Sequence, residues 1–350
     1  AYTTINKPSE YFNTKLYTQT GSTNNGDTQT ITMDNVGMVW IKNRSYTNAH
    51  ALFDIIRGGN GANCLLSTNS TTGGQGSDID SAEGLTFGSS TTTIGTDGGG
   101  YGYNNRTGDN YVAWHWKANG AGVSNTDGST TSTVSANQTS GFSVVKWVGT
   151  DTTVGHGLNA VPEMIIVKNL DDVSNWFVYH KTLGNGKFMT LQGTDGEQTN
   201  STVWNNTSPT SSIFRVGSAL NNANYIAYCF AEKKGFSKFG SYTGNGNANG
   251  TFIYTGFKPA FFFWKRYNST GAWYQADSVR SPSNLVDKQL GANDSNLEAL
   301  FGSPNIDFLS NGIKMRDANV DRNFSGGQYM YMAFAENPLV GTNGVPATAR

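Results

Sequence analysis

Large apolar residues recur at every second position in three separated stretches: Tyr111–Asn119 (YVAWHWKAN), Tyr225–Lys233 (YIAYCFAEK) and Tyr329–Asn337 (YMYMAFAEN). Each opens on Tyr, alternates large with mostly small residues, and closes on a polar cluster. Alternation with a period of two is the pattern of a strand, and three copies predict a repeated unit. Aromatic-rich starts precede the copies at Leu16–Gly21, Phe142–Gly149 and Phe236–Gly244. Apolar runs then close on a lysine: MVWIK at Lys42, MIIVK at Lys168 and FFFWK at Lys265. Twelve residues beyond those lysines stand Asp54, His180 and Asp277, each inside a further strand pattern. Arg57 and Arg280 lie fifteen beyond, where the middle copy has Leu183. Later strands recur as Gly84–Gly88, Ser212–Gly217 and Asn311–Arg316. Spacing between adjacent strands persists because a one-residue slip turns every side chain to the other face, whereas loop lengths vary freely.

The middle copy predicts strands near 142–149, 164–169, 176–181, 187–193, 201–206, 211–217 and 225–232, separated by Gly, Asn, Pro and Asp turns. Short strands at that density predict an antiparallel sandwich. The chain therefore reads as all-β: three tandem antiparallel β-sandwich repeats of jelly-roll or concanavalin-like form. A propeller fits less well, because its blades run about 40–50 residues. The first repeat spans 1–119, the second 142–234 and the third 235–338. Residues 120–141 form a Ser/Thr/Asn/Gly-rich linker, either flexible or an extended strand, and 339–350 a tail to be ordered by a neighbour. Only Lys233–Gly235 join the second repeat to the third, which forces those two into contact. In each repeat one face of the signature strand is bulky: Val112, Trp114 and Trp116; Ile226, Tyr228 and Phe230; Met330, Met332 and Phe334. These faces are expected to fill the space between the two sheets of their own sandwich.

Composition supports strands over helices. The chain has 43 glycines and only 14% charged residues, against about 25% in an ordinary domain. Its net charge of −1, from 24 basic and 25 acidic residues without a long block of either sign, supplies no basic face for nucleic acid. Cys64 and Cys229 are too few for a disulfide framework, and Cys229, inside an apolar strand, reads as small buried filler. No run approaches the ~18 apolar residues of a membrane helix. The opening AYTTINKPSEYFN lacks a charged-then-apolar signal arrangement, so a product made in the cytoplasm without membrane insertion is expected.

Candidate chemistry is sparse. Four histidines, His50, His115, His156 and His180, show no ligand spacing, so zinc is not expected. The Asp54/His180/Asp277 position recurs with exchanged chemistry, which suits a strand-end polar contact better than a general acid. GNGNANG (Gly244–Gly250) misses the dinucleotide spacing and opens no helix. Thr96–Asn110 reads as a long flexible loop. Asp317, Asn319, Asp321 and Asn323 alternate like calcium-loop oxygens, but Arg322 stands where Gly is wanted and the closing Glu is missing. Asp78, Asp80 and Glu83 form a smaller acidic cluster. Both sets read as turn-forming residues. Trp176 and Trp273, each eight past its lysine and followed by Phe177 and Tyr274, could stack on a sugar but read better as core. No catalytic residue, metal ligand or cofactor is assigned, and the ligand-binding residues stay open.

Four elements, YTGNG (Tyr242–Gly246), HGLNAVPEMIIVKN (His156–Asn169), STVWNNTSPTSSIF (Ser201–Phe214) and YIAYCFAE, resemble those of repeat-bearing virion structural proteins of marine bacteriophages, especially cyanophages. The opening AYTTINKPSEYFNTKLYT is similar to the start of those proteins. The first repeat departs most, with LYTQTGSTNNGD in place of YTGNG and no HGL before Met38, which leaves it open to a docking role. The resemblance implies a non-enzymatic, fibre-like or surface-attached virion protein that contributes to host attachment. It also implies partners among other virion proteins, self-association (a trimer in a fibre), and a host-surface glycan as a candidate ligand. A capsid decoration or cement protein and a stand-alone carbohydrate-binding module are the alternatives. Tandem units on a particle would multiply weak contacts by avidity.

Overall fold

The computed structural model describes residues 2–21, 27–74, 79–80, 82–300, 305–341, 344 and 346. After a short 3-10 turn at Pro8–Glu10, the first third contributes β1 (Phe12–Thr18), β2 (Gln29–Thr32), β3 (Val36–Asn43), β4 (Ala51–Asp54), β5 (Leu85–Phe87), β6 (Thr91–Ile94) and β7 (Asn110–Lys117). The middle contributes β8 (Val123–Asn125), β9 (Ser132–Asn137), β10 (Phe142–Val148), β11 (Thr152–Gly155), β12 (Met164–Asn169), β13 (Trp176–His180), β14 (Lys187–Thr190), β15 (Gln198–Thr199), β16 (Ile213–Val216) and β17 (Asn224–Phe230). The last third contributes β18 (Ser237–Thr243), β19 (Phe252–Tyr254), β20 (Phe257–Arg266), β21 (Trp273–Asp277), β22 (Lys288–Gly291), β23 (Ala299–Leu300), β24 (Ile306–Leu309), β25 (Gly312–Met315) and β26 (Gln328–Pro338). The fold is all-β, and its sheet pairings are antiparallel.

One ladder occurs three times: β1-β7-β3-β4, β10-β17-β12-β13 and β18-β26-β20-β21. Register agrees as well as order. Lys42, Lys168 and Lys265 face Val112, Ile226 and Met330 across their ladders, while Met38, Met164 and Phe261 face Trp116, Phe230 and Phe334. The segment expected as a linker contains β8 and β9, which extend the middle ladder through β10. A smaller sheet accompanies each ladder: β2-β6-β5, β11-β16 and β19-β25-β24.

The signature strands β7, β17 and β26 are buried on both faces. Their other faces, tyrosine at the start and mostly small residues after it, point to the local small sheet. Tyr111 and Ala113 pack with Ile31, Leu85 and Ile94; Tyr225, Ala227 and Cys229 with Val154 and Phe214; Tyr329, Tyr331 and Ala333 with Ile253, Phe308 and Ile313. The bulky faces correct the sequence expectation. They do not lie between the two sheets of their own third but meet in one core shared by all three, containing Val112, Trp114, Trp116, Ile226, Tyr228, Phe230, Met330, Met332 and Phe334. Trp116, Phe230 and Phe334, equivalent in the three strands, form a triangle with ring centroids 5.8–6.3 Å apart, within the favourable range for aromatic pairs. Three converging sheets leave more space to fill than one sheet on its neighbour, so the larger side chains belong at the centre.

Candidate functional site

The groups with most chemical potential stand along the seams between the ladders. Lys42 follows Met38 and Trp40 on the inward face of β3, and Lys168 and Lys265 stand likewise in β12 and β20. All three residues are buried. Lys42 Nζ donates to Asn43 O at 2.8 Å and to Ser295 O of the last third at 3.3 Å. Lys168 Nζ donates to Ser174 O at 3.0 Å and to Thr71 O of the first third at 2.9 Å. Lys265 Nζ donates to Gly271 O and, at 2.8 Å, to Thr194 O of the middle third. Each lysine thus ties its own ladder to a loop of another third, first to last, middle to first and last to middle, and the cycle closes. Burial lowers the amines to about 8 for Lys42 and Lys168 and about 7 for Lys265, because desolvation disfavours the charged form. An amine titrating near neutrality could serve as nucleophile or base; here each is buried and bonded to carbonyls.

A second cycle lies eight residues beyond the lysines. Trp176 Nε1 donates to Ser67 O and Ser70 O at 3.1 and 3.0 Å, and Trp273 Nε1 to Thr190 O at 2.9 Å. Both tryptophans are buried, in keeping with their reading as core. In the first third the position is held by His50, which counting eight from Lys42 would have revealed. Its Nδ1 accepts from Trp40 Nε1 at 2.8 Å, so Nε2 carries the proton and donates to Gly291 O at 2.8 Å. Burial, reinforced by the Lys42 charge, pushes His50 down to about 3.

The third cycle explains the exchange of Asp for His. Asp54 accepts from Arg57 Nε at 2.6 Å and from the Tyr228 hydroxyl of β17 at 2.7 Å. Asp277 accepts from Arg280 Nε and from Trp114 Nε1 of β7 at 3.0 Å. The residue of β26 equivalent to Trp114 and Tyr228 is Met332, which has no proton to donate. Opposite it the chain places His180, whose Nε2 donates to the Tyr331 carbonyl at 3.2 Å, and Leu183 replaces the arginine. A buried carboxylate requires a cation and several donors; a neutral imidazole requires no cation, only one acceptor and one donor, and the His180 Nδ1 accepts from Thr182 N at 3.2 Å. Burial holds His180 neutral, at about 4. The strand-end contact read from the sequence is therefore a contact between thirds of the chain.

Other sequence candidates are engaged locally. Asp317 pairs with Arg322, which is itself buried, so a guanidinium sits where a calcium loop would hold its ion. Asn319 Oδ1 accepts from Asp321 N at 2.8 Å, and Asn323 Nδ2 donates to Asn245 Oδ1 at 3.0 Å, which knits this turn to the 244–250 loop. Asp80 accepts from the backbone of Ala82 and Glu83; Asp78 lies outside the described residues. Among the described residues, no group of three or more His, Cys, Asp or Glu side chains is arranged to hold a metal ion. The 96–110 loop is less free than expected: the Asp97 carboxylate accepts from the backbone of Tyr101, Gly102 and Tyr103 at 2.6–2.8 Å. Burial raises Asp97 to about 6 against the pull of those bonds. Its signal in the sequence was an Asp directly before a glycine run.

A family model described as a domain of unknown function, DUF7483, matches residues 7–338. No curated protein and no solved structure matches the chain.

Proposed function

The chain belongs to the DUF7483 family, and from that premise we propose that it is a non-enzymatic structural protein of a phage virion. It is surface-attached or fibre-like, and it contributes to host attachment. Its partners are other virion proteins and, through its outer surface, further copies of itself, with a host-surface glycan as ligand. Each ladder with its small sheet is read as a jelly-roll or concanavalin-like sandwich. The observation that carries the proposal is the use made of the reactive groups. Lys42, Lys168, Lys265, His50, His180, Asp54 and Asp277 all bond one third of the chain to another, which suits a durable particle component. The likeness to cyanophage virion proteins supports the same reading.

One feature favours the decoration alternative. A single chain already has a roughly threefold arrangement, with the bulky faces that a trimer would share buried inside it. Such a body suits a threefold position on a shell without trimerising. Cryo-EM of the native particle tests both forms: density on tail fibres supports attachment, density at capsid lattice positions supports decoration, and absence from the particle overturns the virion reading.

A further inference from the structure

A cleft at the junction of the middle and last thirds is lined by Tyr2, Glu232, Lys234, Lys238, Tyr254 and Thr255. Tyr2 is held in place from two sides. Its hydroxyl donates to Gly256 O at 2.6 Å, and its ring lies over Gly235, where an added Cβ would come within 3.3 Å of the ring and 2.8 Å of Thr3. Gly235 and Gly256 both have positive φ, 77° and 79°, which glycine adopts without strain. At Gly256 an added Cβ would stand 2.6 Å from the Tyr2 hydroxyl. The chain therefore keeps a side chain out at both places where Tyr2 packs.

Tyr254 borders this cleft and is 54% exposed; Phe252, two residues earlier on the same face of β19, is 43% exposed. Strand β19 ends its three-stranded sheet, so these rings form an open strip about 7 Å long. The Phe252 ring covers the backbone of Gly312, which faces Tyr254 across the ladder, so the ring is supported from beneath. The neighbouring charge is positive. Lys238 is paired with Glu232 at 2.6 Å, but Lys234 Nζ lies 4.9 Å from the Tyr2 ring centroid, and among the described residues no carboxylate forms a salt bridge with it.

We propose that the Phe252–Tyr254 strip and the adjoining Tyr2–Lys234 cleft form a binding site for an acidic saccharide. Pyranose C–H groups carry partial positive charge and suit the negative face of an aromatic ring. The half-exposed Tyr254 hydroxyl suits a sugar hydroxyl, and Lys234 suits a carboxylate or sulfate; Thr255 is buried, with its hydroxyl donating to Phe257 O at 2.6 Å, and serves only as wall. The chemistry decides against a neutral peptide strand added to β19, because the strip ends in a polar, cationic cleft. The inference builds on the host-attachment part of the proposed function, yet it can fail while the protein is still found in virions.

The test is a glycan array of neutral, uronate-bearing and sulfated oligosaccharides, followed by calorimetry with hexagalacturonate on the full chain. Binding of acidic saccharides is expected, weakening as salt rises. Tyr254→Ala should weaken it roughly tenfold or more, and Lys234→Gln should weaken it and flatten the salt dependence. Both side chains lie at the surface, so both variants should melt with the wild type, which separates lost binding from lost folding. Array binding confined to neutral sugars, no binding at all, or acidic-sugar binding unchanged in Tyr254→Ala and Lys234→Gln overturns the inference. So does self-association of the chain through β19 that Phe252→Lys abolishes while acidic sugars fail to compete.

Discussion

Trp114 Nε1 donates to Asp277 Oδ2 at 3.0 Å, joining residues 163 positions apart. Tyr228 makes the matching bond to Asp54. Both carboxylates are buried and each has an arginine three residues on, so the donor from the next ladder completes a set that its own third leaves open.

Trp114→Phe should therefore cost about 1–3 kcal/mol, the range for leaving a buried acceptor short of a bond. Asp277→Ala should cost more, about 3–5 kcal/mol, because Arg280 would then be buried beside fewer acceptors. Urea titrations of both variants check the order; a smaller loss for Asp277→Ala would contradict it.

The middle third invites a transplant. His180→Asp alone should destabilise strongly, since it buries a carboxylate facing Met332 with no arginine at Leu183. Adding Leu183→Arg and Met332→Tyr recreates the arrangement around Asp54 and should recover much of the loss. Melting temperatures of the single and triple variants decide it: a triple variant no better than His180→Asp would mean that the matched identities are incidental.

Shared packing predicts shared melting. The full chain should unfold in one transition. A fragment of 142–234 should fail to fold cooperatively, because Ile226, Tyr228 and Phe230 would face water. Phe230→Ala, at the aromatic triangle, should cost about 3–5 kcal/mol and lower that single transition rather than split it. Calorimetry showing separate transitions would place the thirds as independent folding units.

Stability should fall on acidification from pH 7 towards 4. Burial lowers His50 to about 3 and His115 and His180 to about 4, while an unfolded histidine titrates near 6.5. Between those values the unfolded chain binds the extra protons, so acid favours unfolding. His156 is lowered by burial in the same sense, while Asp97, raised to about 6, and Glu163, also raised by burial, work in the opposite sense at the acid end. Melting temperature measured against pH should show this slope, and His115→Gln should reduce it.

On the alkaline side the lysines have a sign of their own. With Lys42, Lys168 and Lys265 lowered by burial to about 8, 8 and 7, the unfolded chain again binds more protons between roughly pH 7 and 10. Stability contributed by these sites should rise as pH increases through that range, and Lys265→Met should lessen the rise in a series of urea titrations.

Much of this architecture was legible along the chain. Alternation located β7, β17 and β26, and the spacing from Lys42, Lys168 and Lys265 to Asp54, His180 and Asp277 located their neighbours, because antiparallel register ties a side chain's face to its sequence parity. The polar contact at Asp54, His180 and Asp277 was legible as a contact, though not its partners: Tyr228, Trp114 and the Tyr331 carbonyl lie far away in sequence. His50 escaped notice because it shares a position with Trp176 and Trp273 but not their residue type.

What the sequence determined by itself was the repeat, most of the strands that flank it and the two-faced character of the signature strand; the order of strands in each ladder was not legible, and 201–206, expected as a strand, is a run of turns. Which face meets which neighbour was decided by the tertiary structure. Parity says that Trp116, Phe230 and Phe334 lie opposite their small neighbours. It says nothing of whether a bulky face meets a sheet of its own third or of another, since burial is non-directional and both satisfy it. Only closing three ladders around one centre makes room for those rings together, and the same closure turns three buried lysines, spaced apart in sequence, into a single cycle of bonds.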